Sequence, residues 1–238
     1  MRVAPAMTRL RPLLVALLLA ATAGCARLPA ADASGTPAEA VAARGFALLS
    51  SGGVPLGSAV AVAPDRLLTN AHVLPAGIDR VALTRGDGAA RAQAVVLARS
   101  DRMDLAVLRV PPGLVEPVPL AAVPPRAGQA IWAVGAPSTG PAVAKGRVAL
   151  PAAALHGHGP GFTAQVAALL GYSGGPALDG QGRLLGLVTA LPQPGAAPLL
   201  AALSGVDLDG LVRGRAGREV FLLSAGAAIA EAQRLAPP

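Results

Sequence analysis

Cysteine is almost missing from this chain of 238 residues: Cys25 is the only one. No disulfide can form within a single chain that has one thiol, so packing must supply the stability even in an oxidising compartment. Aromatic residues are nearly as scarce, at 2% of the chain against 53% hydrophobic residues in all, so the apolar mass is mostly Ala, Leu and Val. The formal charge of +7 includes Arg2, Arg9 and Arg11 at the extreme N-terminus. The remaining arginines are scattered through turns with hardly any aromatics between them. That excludes the basic, aromatic-studded stripe of a nucleic-acid binder, and no nucleic-acid partner is expected. Long apolar runs are also absent. The one at Leu13 to Ala21 is shorter than the roughly 20 residues needed to span a bilayer.

What is present begins with that run. Arginines ahead of it and small residues behind it make residues 1–24 a secretory signal rather than a fold element. The end, "ATAGC", resembles a bacterial lipobox, in which the chain is cut before Cys25 and the thiol carries a lipid. Thr22 stands where such signals usually have Leu, and Ala21-Thr22-Ala23 also offers an ordinary cleavage site. The expectation is an exported protein of the periplasm or cell envelope, attached to a membrane through lipidated Cys25. Residues 25–40, without period or bulk, read as a flexible tether, and the folded part is expected to begin near Val41.

From there short apolar runs recur between Gly, Pro and Asp turns: "GSAVAVA", "RVALT", "RAQAVVLA", "DLAVLRV", "QAIWAV", "AVAKGRVAL" and "RLLGLVTA". Regular short strands predict an all-β barrel or sandwich. The proline-rich stretch 111–128 divides them into two similar sets, and a second boundary is expected in the loop 191–198. Ser224 is placed to cap a C-terminal helix through "AGAAIAEAQRL", expected to pack outside the second set of strands.

The stretch "GYSGGP", residues 171–176, fits two serine-hydrolase patterns. Gly171, Ser173 and Gly175 satisfy the G-x-S-x-G elbow of α/β-hydrolases, but the letters also fit the nucleophile turn of chymotrypsin-type enzymes. A serine hydroxyl needs an imidazole to take its proton and a carboxylate to orient that imidazole. The elbow fold requires its histidine after the serine, whereas His72, His156 and His158 all precede Ser173. His72 lies in "LLTNAHVL" and Asp104 opens "DLAVLRV", which gives the order His, Asp, Ser of chymotrypsin-type enzymes. Asp101 is the rival acid. His156 and His158 form an H-x-H pair without a third ligand in view, so exposed loop histidines are expected and no metal site.

Three blocks, "GSAVAVAPDRLLTNAHVL", "RSDRMDLAVLRV" and "GYSGGPALDGQGRLLGLVTA", together resemble a trypsin-like serine protease of the HtrA (Deg) family. The resemblance covers roughly Val41 to Leu235. It implies two antiparallel six-stranded β-barrels, about 41–120 and 121–238, with the C-terminal helix on the second. It makes His72 the general base, Asp104 the orienting acid, Ser173 the nucleophile, and the amides of Gly171 and Ser173 the oxyanion hole. No cofactor is implied. The activity implied is peptide-bond hydrolysis in envelope proteins, with a non-catalytic chaperone or scaffold and an esterase as alternatives.

The departures from the family are local. Tyr172 replaces the aspartate of zymogen-activated trypsins, so no new N-terminus is needed to shape the turn. By the resemblance, Ala167 falls at the base of the primary specificity pocket, where a basic side chain would lack a counter-charge. Leu169, Leu170 and Gln165 also differ from the family's usual residues and put the pocket's shape in doubt. The stretch after Pro198 is shorter than the roughly 50 residues at which domains start, so no PDZ domain is expected after the barrels.

Overall fold

In the computed structural model, the residues described are 35–137, 140–168, 170–189 and 218–237. Cys25, the expected signal, most of the expected tether and the loop 191–198 lie outside them. The first element among the described residues is helix α1, Pro37–Arg44. It overlaps the end of the stretch read as tether, for identifiable local reasons. Pro37 sits in the first turn, where its missing N–H costs nothing. The Glu39 carboxylate reaches back to the N–H groups of Gly35 and Thr36, and Ala38 is buried.

Thirteen strands follow among the described residues. The first six are β1 (Phe46–Ser51), β2 (Val54–Ala63), β3 (Arg66–Thr69), β4 (Arg80–Arg85), β5 (Arg91–Arg99) and β6 (Ala106–Arg109). They close into an antiparallel barrel in the order β1-β2-β3-β6-β5-β4. The other seven are β7 (Ala130–Gly135), β8 (Ala142–Val148), β9 (Ala153–Leu155), β10 (Gly159–Val166), β11 (Pro176–Leu178), β12 (Leu184–Thr189) and β13 (Arg218–Ser224). Six of these form a ring closed by pairing of β10 with β13, and β9 adds a short hairpin arm to β10. The change of barrel falls between Arg109 and Ala130, around the proline-rich 111–128. The fold is therefore chymotrypsin-like: two six-stranded antiparallel barrels and a C-terminal helix.

The scarcity of aromatics suits this architecture. A six-stranded barrel is narrow, and small side chains fill it. Alternate residues of the first barrel point inward, among them Ala47 and Leu49, Ala59 and Ala61, Val81 and Leu83, Ala106 and Leu108. Ile131, Ala133, Phe162, Ala164, Val166 and Leu222 do the same in the second. The opposite faces of several strands are buried too, because a third cluster joins the barrels through Phe46, Val60, Leu68, Val107, Val134, Leu187 and Leu223. This explains why β6 and β12 are buried without the alternation expected of a one-sided strand.

Helix α2, Ala225–Leu235, starts directly after β13. Ser224 occupies the N-cap position, but its hydroxyl makes no capping bond. Ala225, Ala228 and Ala232 form the buried stripe of α2. The helix touches β12, β13 and β10 of the second barrel but also β6 of the first, so it bridges the barrels and does not merely cover one. Among the described residues, no helix is long and apolar enough to cross a membrane.

Candidate active site

The chain leaves β3 through Asn70, in extended backbone, and makes a single 3-10 turn, Ala71–Val73. That turn carries His72. Asp104 stands just ahead of β6, with its side chain 8% exposed against 44% for His72. Antiparallel pairing of β3 with β6 sets Thr69 opposite Ala106, which brings the two strand ends together. The carboxylate then binds residue 72 twice: Oδ2 lies 2.6 Å from Nδ1 of the ring, and Oδ1 accepts the backbone N–H at 3.0 Å.

The chemistry of this pair fixes the tautomer. An ionised carboxylate can only accept, so in the neutral ring Nδ1 carries the proton and Nε2 keeps a lone pair able to accept one. Burial works to raise the Asp104 carboxyl, yet the side-chain and backbone hydrogen bonds from His72 outweigh it and hold the group below the usual carboxylate range. Asp104 is thus kept ionised where an imidazolium would need it. Asp101, the rival acid, is 86% exposed and lies 3.6 Å from Arg234 instead.

The serine turn is built differently. Gly171 and Gly174 have φ of +98° and +83°, in the left-handed region that favours glycine. Both are also cramped: a Cβ at Gly171 would come within 2.2 Å of the Ala136 carbonyl, and one at Gly174 within 2.2 Å of the Ser58 carbonyl and 3.1 Å of the Asn70 nitrogen. Gly174 therefore sets the turn directly against the segment that leads to His72. Ser58 clasps the turn from the first barrel, its N–H donating to the Ser173 carbonyl at 2.9 Å and its hydroxyl to the Gly171 carbonyl at 2.6 Å. The Gly174 N–H donates to Val188 and the Gly175 N–H to Tyr172, both at 2.9 Å.

Among the described residues, the N–H groups of Gly171 and Ser173, two residues apart, donate to no protein acceptor. Ser173 is 7% exposed, and its hydroxyl makes no hydrogen bond to His72 or to any other described residue. Tyr172 turns inward among the second-barrel side chains, against Gly135, and burial pushes its phenol up to about 12. His72, Asp104 and Ser173 line neither of two clefts, of about 260 and 210 Å³, elsewhere on the surface.

A trypsin-like peptidase domain model matches residues 57–187, more than half of the chain. The chain belongs to the trypsin-like peptidase family. Within that family it is 32% identical over 142 residues to the serine protease Rv3671c of Mycobacterium tuberculosis, an alignment covering 56% of this chain and 35% of that protein. The chain thus spans about a third of the length of that relative. The active form of the Rv3671c protease superposes with a TM-score of 0.65 at 25% identity, covering 84% of this chain and 85% of that one. An HtrA-type protease, AlgW, solved with a decapeptide, gives 0.65 at 23% identity over 84% of this chain and 67% of that one.

Other site residues expected from the sequence fall as follows. Ala167 is exposed where β10 leads into the serine turn, while Ala168 beside it is buried. Leu170 is 40% exposed, and Leu169 lies outside the described residues. His158 points Nδ1 at the His156 carbonyl, 3.0 Å away, and meets Phe221 edge-on. Among the described residues, no cluster of three or more His, Cys, Asp or Glu is placed to hold a metal.

Two supports escaped the sequence reading. Asn70, fully buried, donates through Nδ2 to the Asp104 carbonyl and to Thr189 Oγ1, each at 2.9 Å, and so ties the acid to β12 of the second barrel. Arg99, at the end of β5, spreads its guanidinium over the carbonyls of Ala71, Leu74, Pro75 and Ile78 and braces the histidine loop. Asn70 lies in the quoted "TNAHV", whereas nothing local marks Arg99.

Proposed function

We propose that the protein is a serine endopeptidase of the cell envelope, in which His72, Asp104 and Ser173 act as a triad. The observation that carries this reading is the twofold grip of Asp104 on His72, which leaves Nε2 as a base at the seam where the Ser173 turn packs. In the proposed cycle Nε2 takes the serine proton while Oγ bonds to the peptide carbonyl carbon. The resulting oxyanion is held by the amides of Gly171 and Ser173. Collapse breaks the C–N bond, and the departing amine takes the proton from His72. Water, deprotonated by the same nitrogen, then attacks the acyl-enzyme and frees the serine.

The open Ser173 hydroxyl fits a resting site that completes its hydrogen bond on binding substrate, a behaviour common in unliganded enzymes. Support for a peptide substrate comes from the serine protease name of the mycobacterial relative and from the peptides seen with AlgW. Ala167 offers no charge to a basic side chain, so the preference is for small or medium aliphatic residues. Cys25 carries the lipid that tethers the domain to the envelope membrane.

Peptide and short-chain ester turnover by wild type and Ser173→Ala tests the activity. Loss of peptide hydrolysis with the hydroxyl is expected. Loss of ester turnover alone would make the protein an esterase, and no turnover or labelling by a folded wild type would make it a binding protein. Mass spectrometry of the mature N-terminus tests the anchor, for which an unmodified Cys25 is the contrary result.

A further inference from the structure

Asp104 is presented to His72 by a short loop, and that loop is anchored on the far barrel. The Ser100 N–H donates to the Leu105 carbonyl at 2.8 Å, closing the loop at its base. The Ser100 hydroxyl accepts the N–H groups of Arg102 and Met103 at 3.0 and 3.2 Å, so its oxygen organises the turn. Its own proton goes to Oε1 of Glu231, 2.6 Å away on α2. Glu231 is only 6% exposed, an uncommon place for a carboxylate unless it is paired. The pairing comes from Arg234, whose Nε and Nη2 bind the two carboxylate oxygens at 2.8 and 2.7 Å. Nη2 of the same arginine lies 3.6 Å from Asp101, on the loop itself.

We propose that Glu231 is a positioning residue for the acid–base pair: through Ser100 it fixes the turn that aims Asp104 at His72. The inference rests on the triad reading and extends it to α2. A carboxylate is suited to the task because it has no proton to give. The Ser100 hydroxyl must therefore be the donor, and both its lone pairs stay with the turn. Arg234 in turn holds the carboxylate in one orientation with a two-pronged grip. The helix thereby ties the second barrel, which carries the nucleophile, to the loop that orients the base. An error of about 1 Å in such a group costs up to roughly 100-fold in rate.

The test uses the full chain with Ser100→Ala, Glu231→Gln and the double variant, each checked for folding by circular dichroism. The expected result is a kcat lower by about 10- to 100-fold with KM within about twofold, and a double variant no worse than the worse single. A second readout does not require turnover: the downfield NMR resonance of the proton between His72 Nδ1 and Asp104 should broaden or move upfield in both single variants. In addition, the Asp104 carboxyl should titrate closer to its ordinary range. Unchanged kcat and an unchanged resonance in folded variants would overturn the proposal, and so would losses that multiply in the double. If Glu231→Gln does not fold, Ser100→Ala, which keeps the Glu231–Arg234 pair and the helix packing, decides alone. If wild type hydrolyses nothing, the triad reading fails, and the NMR resonance still judges the positioning claim.

Discussion

The two barrels hold their halves of the site by different means. On the first, side chains do the holding: Asp104 grips His72 twice, Asn70 holds the Asp104 backbone, and Arg99 braces the loop beyond. On the second, the serine turn is shaped mainly by backbone, by glycines with positive φ and by carbonyls packed where a methyl group would sit, with the Ser58 hydroxyl of the first barrel adding a side-chain hydrogen bond. A base must keep one ring orientation and one tautomer, which charged and amide side chains can specify. The proposed oxyanion hole needs two unclaimed N–H groups, and the turn meets that need by engaging the carbonyls of Gly171 and Ser173 and the N–H groups of Gly174 and Gly175 in other hydrogen bonds, while the N–H groups of Gly171 and Ser173 find no acceptor among the described residues.

The largest single effect outside the proposed triad should therefore come from the backbone half. Gly171→Ala would place a methyl against the Ala136 carbonyl and force φ from +98°. Loss of one aligned amide predicts about 100- to 1000-fold lower kcat with modest change in KM, measured on a peptide substrate. A variant with normal turnover would show that the turn needs no glycine there.

Asn70→Ala strikes the side-chain half. It strips a donor from the Asp104 carbonyl and from Thr189 Oγ1, both in the interior. Leaving buried groups unpaired costs about 1–3 kcal/mol, visible in chemical denaturation, and kcat should fall more than KM rises. Arg99→Lys replaces the guanidinium fork by a point charge and is expected to be milder. Tm should drop by about 2–4 °C for each kcal/mol lost. A larger rate loss from Arg99→Lys than from Asn70→Ala would make the loop brace the stronger support of the two.

The smallest effect is in acid. The Glu231 carboxyl is pulled from its ordinary 4.5 to about 2, chiefly by its hydrogen bonds to Arg234 and Ser100. A group depressed on folding contributes stability that is complete above its unfolded value and lost as pH falls through its folded one. Tm should therefore decline between about pH 4.5 and 2, with a shallower decline in Glu231→Gln. Equal slopes would mean that α2 is held by its alanine stripe alone.

Most of the strands and the pairing of Asp104 with His72 were legible in the sequence. Runs such as "RVALT" and "RAQAVVLA" coincide with β4 and β5 because strands bounded by turns leave a local pattern. Other elements left less trace. β11 has three residues inside a glycine-rich turn, β10 opens with Gly-Pro-Gly, and α1 hides in an alanine stretch that packing stabilises. The least legible parts are the supports of the site. Ser100 and Glu231 stand 131 residues apart, and only closure of both barrels brings them together. The Ser224 cap shows the converse, a residue of the right type whose hydroxyl is not used.

The central claim is that His72 activates the Ser173 hydroxyl. Fluorophosphonate labelling followed by peptide mapping measures this directly. Covalent modification at Ser173 is expected in wild type and its loss in His72→Ala. A folded wild type left unmodified, or a His72→Ala variant labelled at the wild-type rate, would contradict it.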